Sequence, residues 1–256
     1  MCSNPEGMLS KAVTKYINSL QIKKYRNLHQ TFVVEGAKSV RELLASDLEI
    51  DRLFLTEEFY LKHKPEFPKA LEISIVTENQ LVQAGTYESN NAGLALVKMR
   101  KLPPLKVSPS ELVIALDDVR DPGNLGTIIR IADWYGINKI ICSETCADFY
   151  NPKVIAATMG SFGRVSAYYV NLPEFLENLS ADFKIYGAAM HGENIHRLEL
   201  QPAGVLVMGN EANGLRPETM PFITHLIKIP AFGNAESLNV ATATAIIVDN
   251  FFRTVS

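Results

Sequence analysis

Cysteines and long apolar runs are scarce in this sequence, and each shortage excludes a class of protein. Three cysteines among 256 residues are too few for the disulfide framework of a small secreted domain. No apolar run approaches the length of about 18 residues that a membrane-spanning helix requires. The first residues, MCSNPEGMLSKAV, also lack the apolar centre of a signal peptide. The sequence therefore predicts a cytoplasmic protein that does not enter a membrane.

Two common cofactor motifs are incomplete or missing as well. Cys142 and Cys146 form a C-x₃-C pair with no nearby histidine to complete a zinc site, so we predict no metal. No G-x-G-x-x-G follows the first apolar runs, which disfavours a Rossmann dinucleotide site and a Rossmann-type methyltransferase. The tetrapeptide GNLG at residues 123–126 is similar to the clamp loop of a KH domain, but a turn into a helix explains it better.

The composition is that of an ordinary globular protein. With 47% hydrophobic and 21% charged residues, the chain can bury one large core or two moderate ones. Proline and serine are concentrated in KLPPLKVSPS, residues 101–110, which is typical of a linker. Because no internal repeat is present, the sequence predicts two unlike domains, at residues 1–105 and 106–256.

The first of these domains has the pattern of a small α/β fold. Apolar residues at helical spacing from Leu9 to Leu20 predict an amphipathic helix. Further helices are predicted at residues 38–45 and 78–84. Short apolar runs predict strands at residues 32–34, 53–55, 73–76 and 94–97.

The second domain alternates apolar runs with helical stretches, which predicts a parallel sheet covered on both faces. Strands are predicted at residues 112–116, 139–142, 165–169, 184–189 and 205–208. Helices are predicted to start at Gly126, to span residues 152–159, and to run from Ser237 to Arg253. The last helix is apolar over most of its circumference, so we expect it to pack against a second copy of the chain.

Three loops of similar composition stand out in this domain. The first joins a buried strand to the helix that carries Arg130, the second follows the strand at 205–208, and the third leads into the last helix, where Ser237 is placed to cap it. In their order and spacing, NLGTIIR, MGNEANGL and IPAFGNAESLNV closely resemble the three signature motifs of the SpoU-type methyltransferases, the TrmH family of the SPOUT superfamily. The resemblance extends from residue 112 to the C-terminus.

That resemblance implies both a fold and an activity. Members of the family have an α/β domain with a trefoil knot and a parallel sheet, bind S-adenosyl-L-methionine in the knot, form homodimers through it, and methylate a ribose 2′-hydroxyl of RNA. The segment KKYRNLHQTFVVEGAKSV resembles the L30e-like substrate-binding domain that is often fused to these enzymes. The expected architecture is therefore a smaller L30e-like α/β domain followed by a SPOUT knot domain.

The cofactor has no phosphate, so its site requires backbone amides and carbonyls presented by loops at the ends of strands. The family pattern assigns Gly209, Ile229 and Leu238 to the cofactor. The full set predicted to bind it is Leu206, Met208, Gly209, Asn210, Gly214, Ile229, Pro230, Ala231, Ser237, Leu238 and Asn239.

The family pattern places Arg130 beside the reacting hydroxyl. A guanidinium is a poor proton acceptor, so Arg130 is better suited to stabilise the developing alkoxide or to hold a phosphate. By the same resemblance, Asn124 orients the ribose, and Glu211 holds Arg130 or a water. The predicted catalytic set is completed by Ser237 and Asn239 as a polar wall.

Charge bears on the expected RNA partner. The net charge of −3 argues mildly against nucleic acid, but residues 1–105 hold 14 Lys and Arg against 12 Asp and Glu, whereas residues 106–256 hold 11 against 16. Lys23, Lys24 and Arg26 are the predicted phosphate contacts near the N-terminus, together with Arg130. A solvated face of an ordinary helix is the alternative interpretation of the basic cluster.

Several functions remain open at this point. An L30e-like module suits structured RNA that is recognised by shape, which favours ribosomal RNA, with transfer RNA second. A SPOUT base methyltransferase and a non-catalytic RNA-binding dimer are the alternatives from other classes. The presence of all five predicted catalytic residues argues against the non-catalytic protein.

Overall fold

The structure is a computed structural model that describes residues 9–253. Residues 1–8, on which the expectation of no signal peptide depends, lie outside the described residues. The described chain divides into two compact units. Unit 1 contains the residues up to Lys101 together with Asp148–Gly163, and unit 2 contains Leu102–Ala147 and the residues from Arg164 onward.

The helices and strands follow one another along the chain in a mixed order. Between residues 9 and 253 the α-helices are α1 Lys11–Ser19, α2 Lys23–His29, α3 Ala37–Leu44, α4 Glu57–His63, α5 Glu78–Ala84, α6 Pro122–Trp134, α7 Pro152–Thr158, α8 Leu172–Glu177 and α9 Val240–Phe252. The strands are β1 Thr31–Glu35, β2 Ile50–Leu55, β3 Ile73–Ile75, β4 Gly93–Lys98, β5 Leu112–Leu116, β6 Lys139–Ser143, β7 Ser166–Val170, β8 Ile185–Asn194, β9 Gly204–Met208 and β10 His225–Lys228. No helix in this part of the chain is long and apolar enough to cross a membrane.

Unit 1 is built on a four-stranded sheet with the order β1-β4-β2-β3. β4 pairs antiparallel with both β1 and β2, and β3 pairs parallel with β2. Helix α1 begins where Ser10 accepts a hydrogen bond from the amide of Val13, and it buries Ile17 against the sheet. All four predicted strands of this region are present, whereas α2 and α4 were not predicted.

Residues 148–163 pack with unit 1 although the sequence placed them in the domain from 106 to 256. The ring of Phe32 in β1 lies 4.7 Å from that of Tyr150 and 6.3 Å from that of Phe162. Arg26 of α2 is buried and forms an ion pair with Asp148. The compact units therefore interleave along the sequence, and the domain division at residue 105 stays a prediction.

Unit 2 is a six-stranded sheet with the order β10-β8-β9-β5-β6-β7. Every neighbouring pair in this sheet is parallel, which confirms the predicted α/β class with a parallel sheet. Both β5 and β9 are buried along their whole length, as strands covered on both faces must be. Their carboxyl ends therefore carry loops at one edge of the sheet.

Two helix starts differ from the prediction. Helix α6 begins at Pro122 rather than Gly126, because proline suits the first helical position and the side chain of Asp121 accepts a hydrogen bond from the amide of Asn124. Helix α9 begins at Val240, and Asn239 caps it in place of Ser237. The side-chain oxygen of Asn239 accepts hydrogen bonds from the amides of residues 241 and 242.

We expect the ion pair between Arg26 and Asp148 to stabilise unit 1. Arg26→Met leaves a partly buried carboxylate without its partner and should lower the free energy of unfolding by about 3 kcal/mol. The measurement is urea unfolding followed by far-ultraviolet circular dichroism, with Lys24→Met on the exposed face of the same helix as control. The double variant Arg26→Met/Asp148→Leu should lose less than Arg26→Met alone. An equal loss in both would show that the pair contributes nothing specific.

Candidate active site

The candidate site begins where β5 and β9 end side by side. Leu116 is paired with Met208 in the sheet, so the chain leaves both strands at the same level. The amide of Asp117 donates to the carbonyl of Met208 at 2.8 Å. The loop before α6 and the loop that contains MGNEANGL are therefore neighbours from their first residue.

A buried carboxylate fixes the second loop to the first. Asp117 is fully buried and accepts two hydrogen bonds from Arg216, one from its backbone amide at 2.8 Å and one from Nε at 2.5 Å. Within the loop, Asn210 and Gly214 exchange backbone hydrogen bonds of 2.9 Å in both directions. A Cβ on Gly209 would lie 2.2 Å from the carbonyl carbon of Gly214, so only glycine fits there.

Asp118 of the first loop is the second residue that holds the loop containing MGNEANGL. It has a φ of 66°, an unusual left-handed conformation for a residue other than glycine. Its carbonyl accepts a hydrogen bond of 2.8 Å from Nδ2 of Asn210, and its carboxylate accepts one of 2.8 Å from Nε of Arg120. Burial raises the pKa of Asp118, but hydrogen bonds from Arg120 and Thr145 outweigh it, so the net pKa is lowered.

A chain of side-chain hydrogen bonds joins one residue from each of the three motifs. Nδ2 of Asn239 donates to Oδ1 of Asn124 at 2.8 Å, and Nδ2 of Asn124 donates to Oε1 of Glu211 at 2.6 Å. Because Asn239 also caps α9, the chain extends from the start of that helix to a carboxylate. The structure thus brings together three of the five residues predicted to be catalytic.

Arg130 and Ser237 lie outside this chain of hydrogen bonds. Arg130 is exposed on α6 and makes no hydrogen bond or ion pair to any residue between 9 and 253. Glu211 holds Asn124 and forms no ion pair with Arg130, which corrects one of the two roles expected for it. Ser237 is exposed and makes no hydrogen bond within the described chain, so its predicted capping role is wrong.

The third loop, residues 229–238, differs from the other two. None of its backbone or side-chain groups hydrogen-bonds to another residue in the described part of the chain. Phe232 is 96% exposed and Leu238 is 48% exposed. Backbone amides and carbonyls that lack internal partners must be satisfied by water or by a ligand, so this loop has the free groups that a nucleoside requires.

The remaining residues predicted to bind the cofactor fall into three groups. Leu206 and Met208 are buried in β9 with their side chains in the core, so only their backbone groups are available to a ligand, and their assignment to the cofactor stays a prediction. Ile229 and Pro230 are half-buried at the end of β10, and Ala231 is exposed. Gly209, Asn210 and Gly214 form the tight turn of the second loop.

The residues predicted to contact RNA near the N-terminus differ in their exposure. Lys23 and Lys24 are exposed on α2. Arg26 is 1% exposed, and its Nη1 donates to the carbonyls of Leu20 and Gln21, each at 2.8 Å. The prediction that Arg26 contacts phosphate is therefore wrong, because its guanidinium is buried in unit 1 and binds groups of the protein itself.

Two thiols lie beneath the first loop. Cys146 is buried and its Sγ donates to the carbonyl of Leu116 at 3.3 Å. A hydrogen bond from Cys142 lowers the pKa of Cys146 to about 7 in spite of its burial, whereas the same contact raises the pKa of Cys142. Within residues 9–253 no group of three or more His, Cys, Asp or Glu side chains is placed to hold a metal ion.

Asp117 and Arg216 were not among the predicted site residues. A charged residue directly after a run of five buried apolar residues was the available signal for Asp117, because a carboxylate at a strand end requires a partner. Its partner Arg216 is 99 residues away in sequence, and no local pattern identifies it.

The chain matches two known families of domain. The SpoU rRNA Methylase family matches residues 111–249, and the MRM3-like substrate binding domain matches residues 11–95. The 23S rRNA (guanosine(2553)-2′-O)-methyltransferase RlmP of Bacillus subtilis is 31% identical over 235 residues, which cover 90% of this chain and 91% of that protein.

Solved structures agree with this match. The crystal structure of an AdoMet-bound rRNA methyltransferase from Sinorhizobium meliloti is 28% identical, with a TM-score of 0.85 over 98% of this chain and 97% of that one. A TrmH-family protein from Porphyromonas gingivalis is 33% identical, with a TM-score of 0.83 over 96% of this chain and 99% of that chain.

Two neighbouring Asp–Arg pairs allow a matched test of how the second loop is held. Asp117→Ala removes the fully buried carboxylate and should lower the free energy of unfolding by about 3 kcal/mol, because Arg216 loses both hydrogen bonds to it. Asp118→Ala instead leaves the largely exposed guanidinium of Arg120 without a partner, where water can solvate it, and should cost less. Thermal and urea unfolding of the two variants measure the difference. Equal losses would contradict the role given to Asp117.

Proposed function

The chain belongs to the SpoU rRNA methylase family, and from that membership we propose that it transfers a methyl group from S-adenosyl-L-methionine to a ribose 2′-hydroxyl of ribosomal RNA. The observation that carries the proposal is the hydrogen-bond chain from Asn239 through Asn124 to Glu211. It joins all three family motifs in one place, which a protein that kept the fold but lost the activity has no reason to maintain. Ribosomal RNA is favoured because the RlmP relative acts on 23S rRNA.

The residues around the third loop fit the cofactor. Residues 229–238 offer backbone amides and carbonyls without internal partners, and half-exposed Leu238 offers an apolar surface to an adenine. Gly209 is held against Gly214, which keeps the backbone of the second loop free of side chains at that point. When bound, S-adenosyl-L-methionine supplies an electrophilic methyl group on a sulfonium.

The side chains of the site then have separate roles. Arg130 has no partner within residues 9–253 and stabilises the negative charge that develops on the ribose oxygen. Asn124 is held rigidly by Glu211 and Asn239, and it positions the ribose. The second carboxylate oxygen of Glu211 makes no hydrogen bond to the described residues, so it can accept the proton of the ribose hydroxyl through a bridging water.

We also propose a homodimer, a trefoil knot and a cytoplasmic location. Family membership supports the first two. The apolar residues of α9 support the dimer further, since Ala245 and Ile246 remain only half-buried within one chain. Binding of RNA phosphates through Lys23 and Lys24 is proposed for the domain that matches the MRM3-like substrate binding domain, because both side chains are exposed.

The activity is tested by incubating the purified full chain with radiolabelled S-adenosyl-L-methionine and unmodified ribosomal or transfer RNA. Nucleoside mass spectrometry of the product distinguishes ribose methylation from base methylation. Label in a 2′-O-methylated nucleoside of ribosomal RNA is the expected result. Label in transfer RNA alone, or in a base, would replace the proposed function by one of its alternatives.

Arg130→Ala should lower the rate of methyl transfer by at least about 100-fold, because one charge-stabilising donor is lost from the transition state. The affinity for S-adenosyl-L-methionine, measured by calorimetry, should remain within about threefold, since Arg130 acts on the RNA side of the site. Arg197→Ala, an exposed arginine in the same unit, is the control. Retained turnover in Arg130→Ala would remove this residue from the mechanism.

Leu238→Arg should weaken cofactor binding by at least about tenfold, because it introduces a charge where an apolar contact is proposed. Leu238→Met keeps the apolar character and should bind nearly as the wild type does. Calorimetric titration with S-adenosyl-L-homocysteine measures both. Unchanged affinity in Leu238→Arg would show that the third loop does not bind the cofactor.

A further inference from the structure

Helix α6 presents one continuous exposed stripe. Gly123, Thr127, Arg130 and Trp134 are exposed, and their spacings of four, three and four residues place them on a single face. The opposite face is buried through Leu125, Ile128 and Ile129. Arg130 and Trp134 are therefore neighbours on the surface, with Cβ atoms about 5–6 Å apart as for any i, i+4 pair.

Trp134 is an unusual residue to find on this stripe. It is the only tryptophan of the chain and is 84% exposed. It makes no hydrogen bond, ring contact or cation–π contact with any other residue between 9 and 253. The indole contributes nothing visible to packing in the described structure, although tryptophan is one of the largest apolar side chains.

The surroundings of Trp134 are charged and rigid. Asp133, the residue before it, accepts hydrogen bonds of 3.0 Å and 2.8 Å from the guanidinium of Arg164. Tyr135, the residue after it, points to α9, where its hydroxyl donates to Asp249 at 3.1 Å and its ring lies 5.2 Å from that of Phe252. The helix end that presents the indole is thus held on both sides.

A flat exposed ring next to an exposed cation is the combination with which proteins bind an unstacked RNA base and its phosphate. Tryptophan and arginine are also enriched in protein interfaces, so the experiments have to distinguish an RNA base from a second protein chain. Arg130 is already proposed to act at the reacting ribose. A base stacked on the next turn of the same helix would belong to an adjacent nucleotide.

We propose that Trp134 is a stacking platform for an RNA base next to the nucleotide that is methylated. This inference rests on the proposed function, because it uses the placement of Arg130 at the ribose. Stacking tolerates every base, so Trp134 contributes affinity and positioning of the RNA and adds little sequence specificity.

The single tryptophan makes the contact directly observable, since all indole fluorescence of the full chain comes from Trp134. We expect titration with a single-stranded oligoadenylate, and with an unmodified transcript of 23S rRNA, to quench this fluorescence. Titration with S-adenosyl-L-homocysteine alone should leave it unchanged. If neither RNA quenches the fluorescence, the proposal is overturned, whether or not the protein methylates RNA.

Kinetics provide the second measurement. Trp134→Ala should raise KM for the RNA about tenfold, which corresponds to one stacked base, while kcat and the cofactor affinity stay unchanged. Trp134→Phe should recover most of this loss, and Met190→Ala, another exposed apolar residue of unit 2, should have no effect. A normal KM in Trp134→Ala would overturn the proposal, whereas a wild type without any methyl transfer would instead overturn the proposed function.

A contact between two copies of the chain is the competing explanation of the exposed indole. It predicts that the wild-type fluorescence shifts on dilution without RNA, and that Trp134→Ala sediments at a lower mass than the wild type. Either result would overturn the assignment to RNA. Sedimentation and fluorescence that do not depend on Trp134 or on concentration would support it.

Discussion

The buried carboxylate of Asp117 is the constraint on which the rest of the candidate site depends. A fully buried negative charge at the end of β5 is tolerable only with a well-placed cation and donors, and Arg216 supplies both. This requirement fixes where the second loop returns to the sheet. With the loop in place, Glu211 reaches Asn124 on the neighbouring helix α6.

The same arrangement explains why amide side chains are so prominent in the site. Asn124 uses its carbonyl oxygen and its amino group at the same time, toward Asn239 and Glu211 respectively. A carboxylate in its place could accept from Asn239 but could not donate to Glu211, and two carboxylates would repel each other. Asparagine at position 124 therefore connects α6 both to the cap of α9 and to the second loop.

The sequence was sufficient for those features that local patterns determine. All strands of unit 1, the five predicted strands of unit 2 and the membership of the family follow from apolar periodicity and from three motifs. Helix starts were predicted less accurately, because Asn239 competes with Ser237 as a cap and because Asp121 and Pro122 start α6 before Gly126. The burial of Arg26 could not be predicted, since it depends on Asp148, which is 122 residues away.

That separation has a consequence for how the protein is made. Unit 1 includes residues 148–163, so a chain emerging from the ribosome cannot complete it when the first sheet has been synthesised. At a synthesis rate of about 5–20 residues per second, Asp148 is added to the chain several seconds after Arg26. The residues of β5, α6 and β6 are synthesised in that interval. Two of the six strands of the parallel sheet are therefore synthesised before unit 1 can be completed, and a fragment that ends at the linker would lack the aspartate that its buried arginine requires.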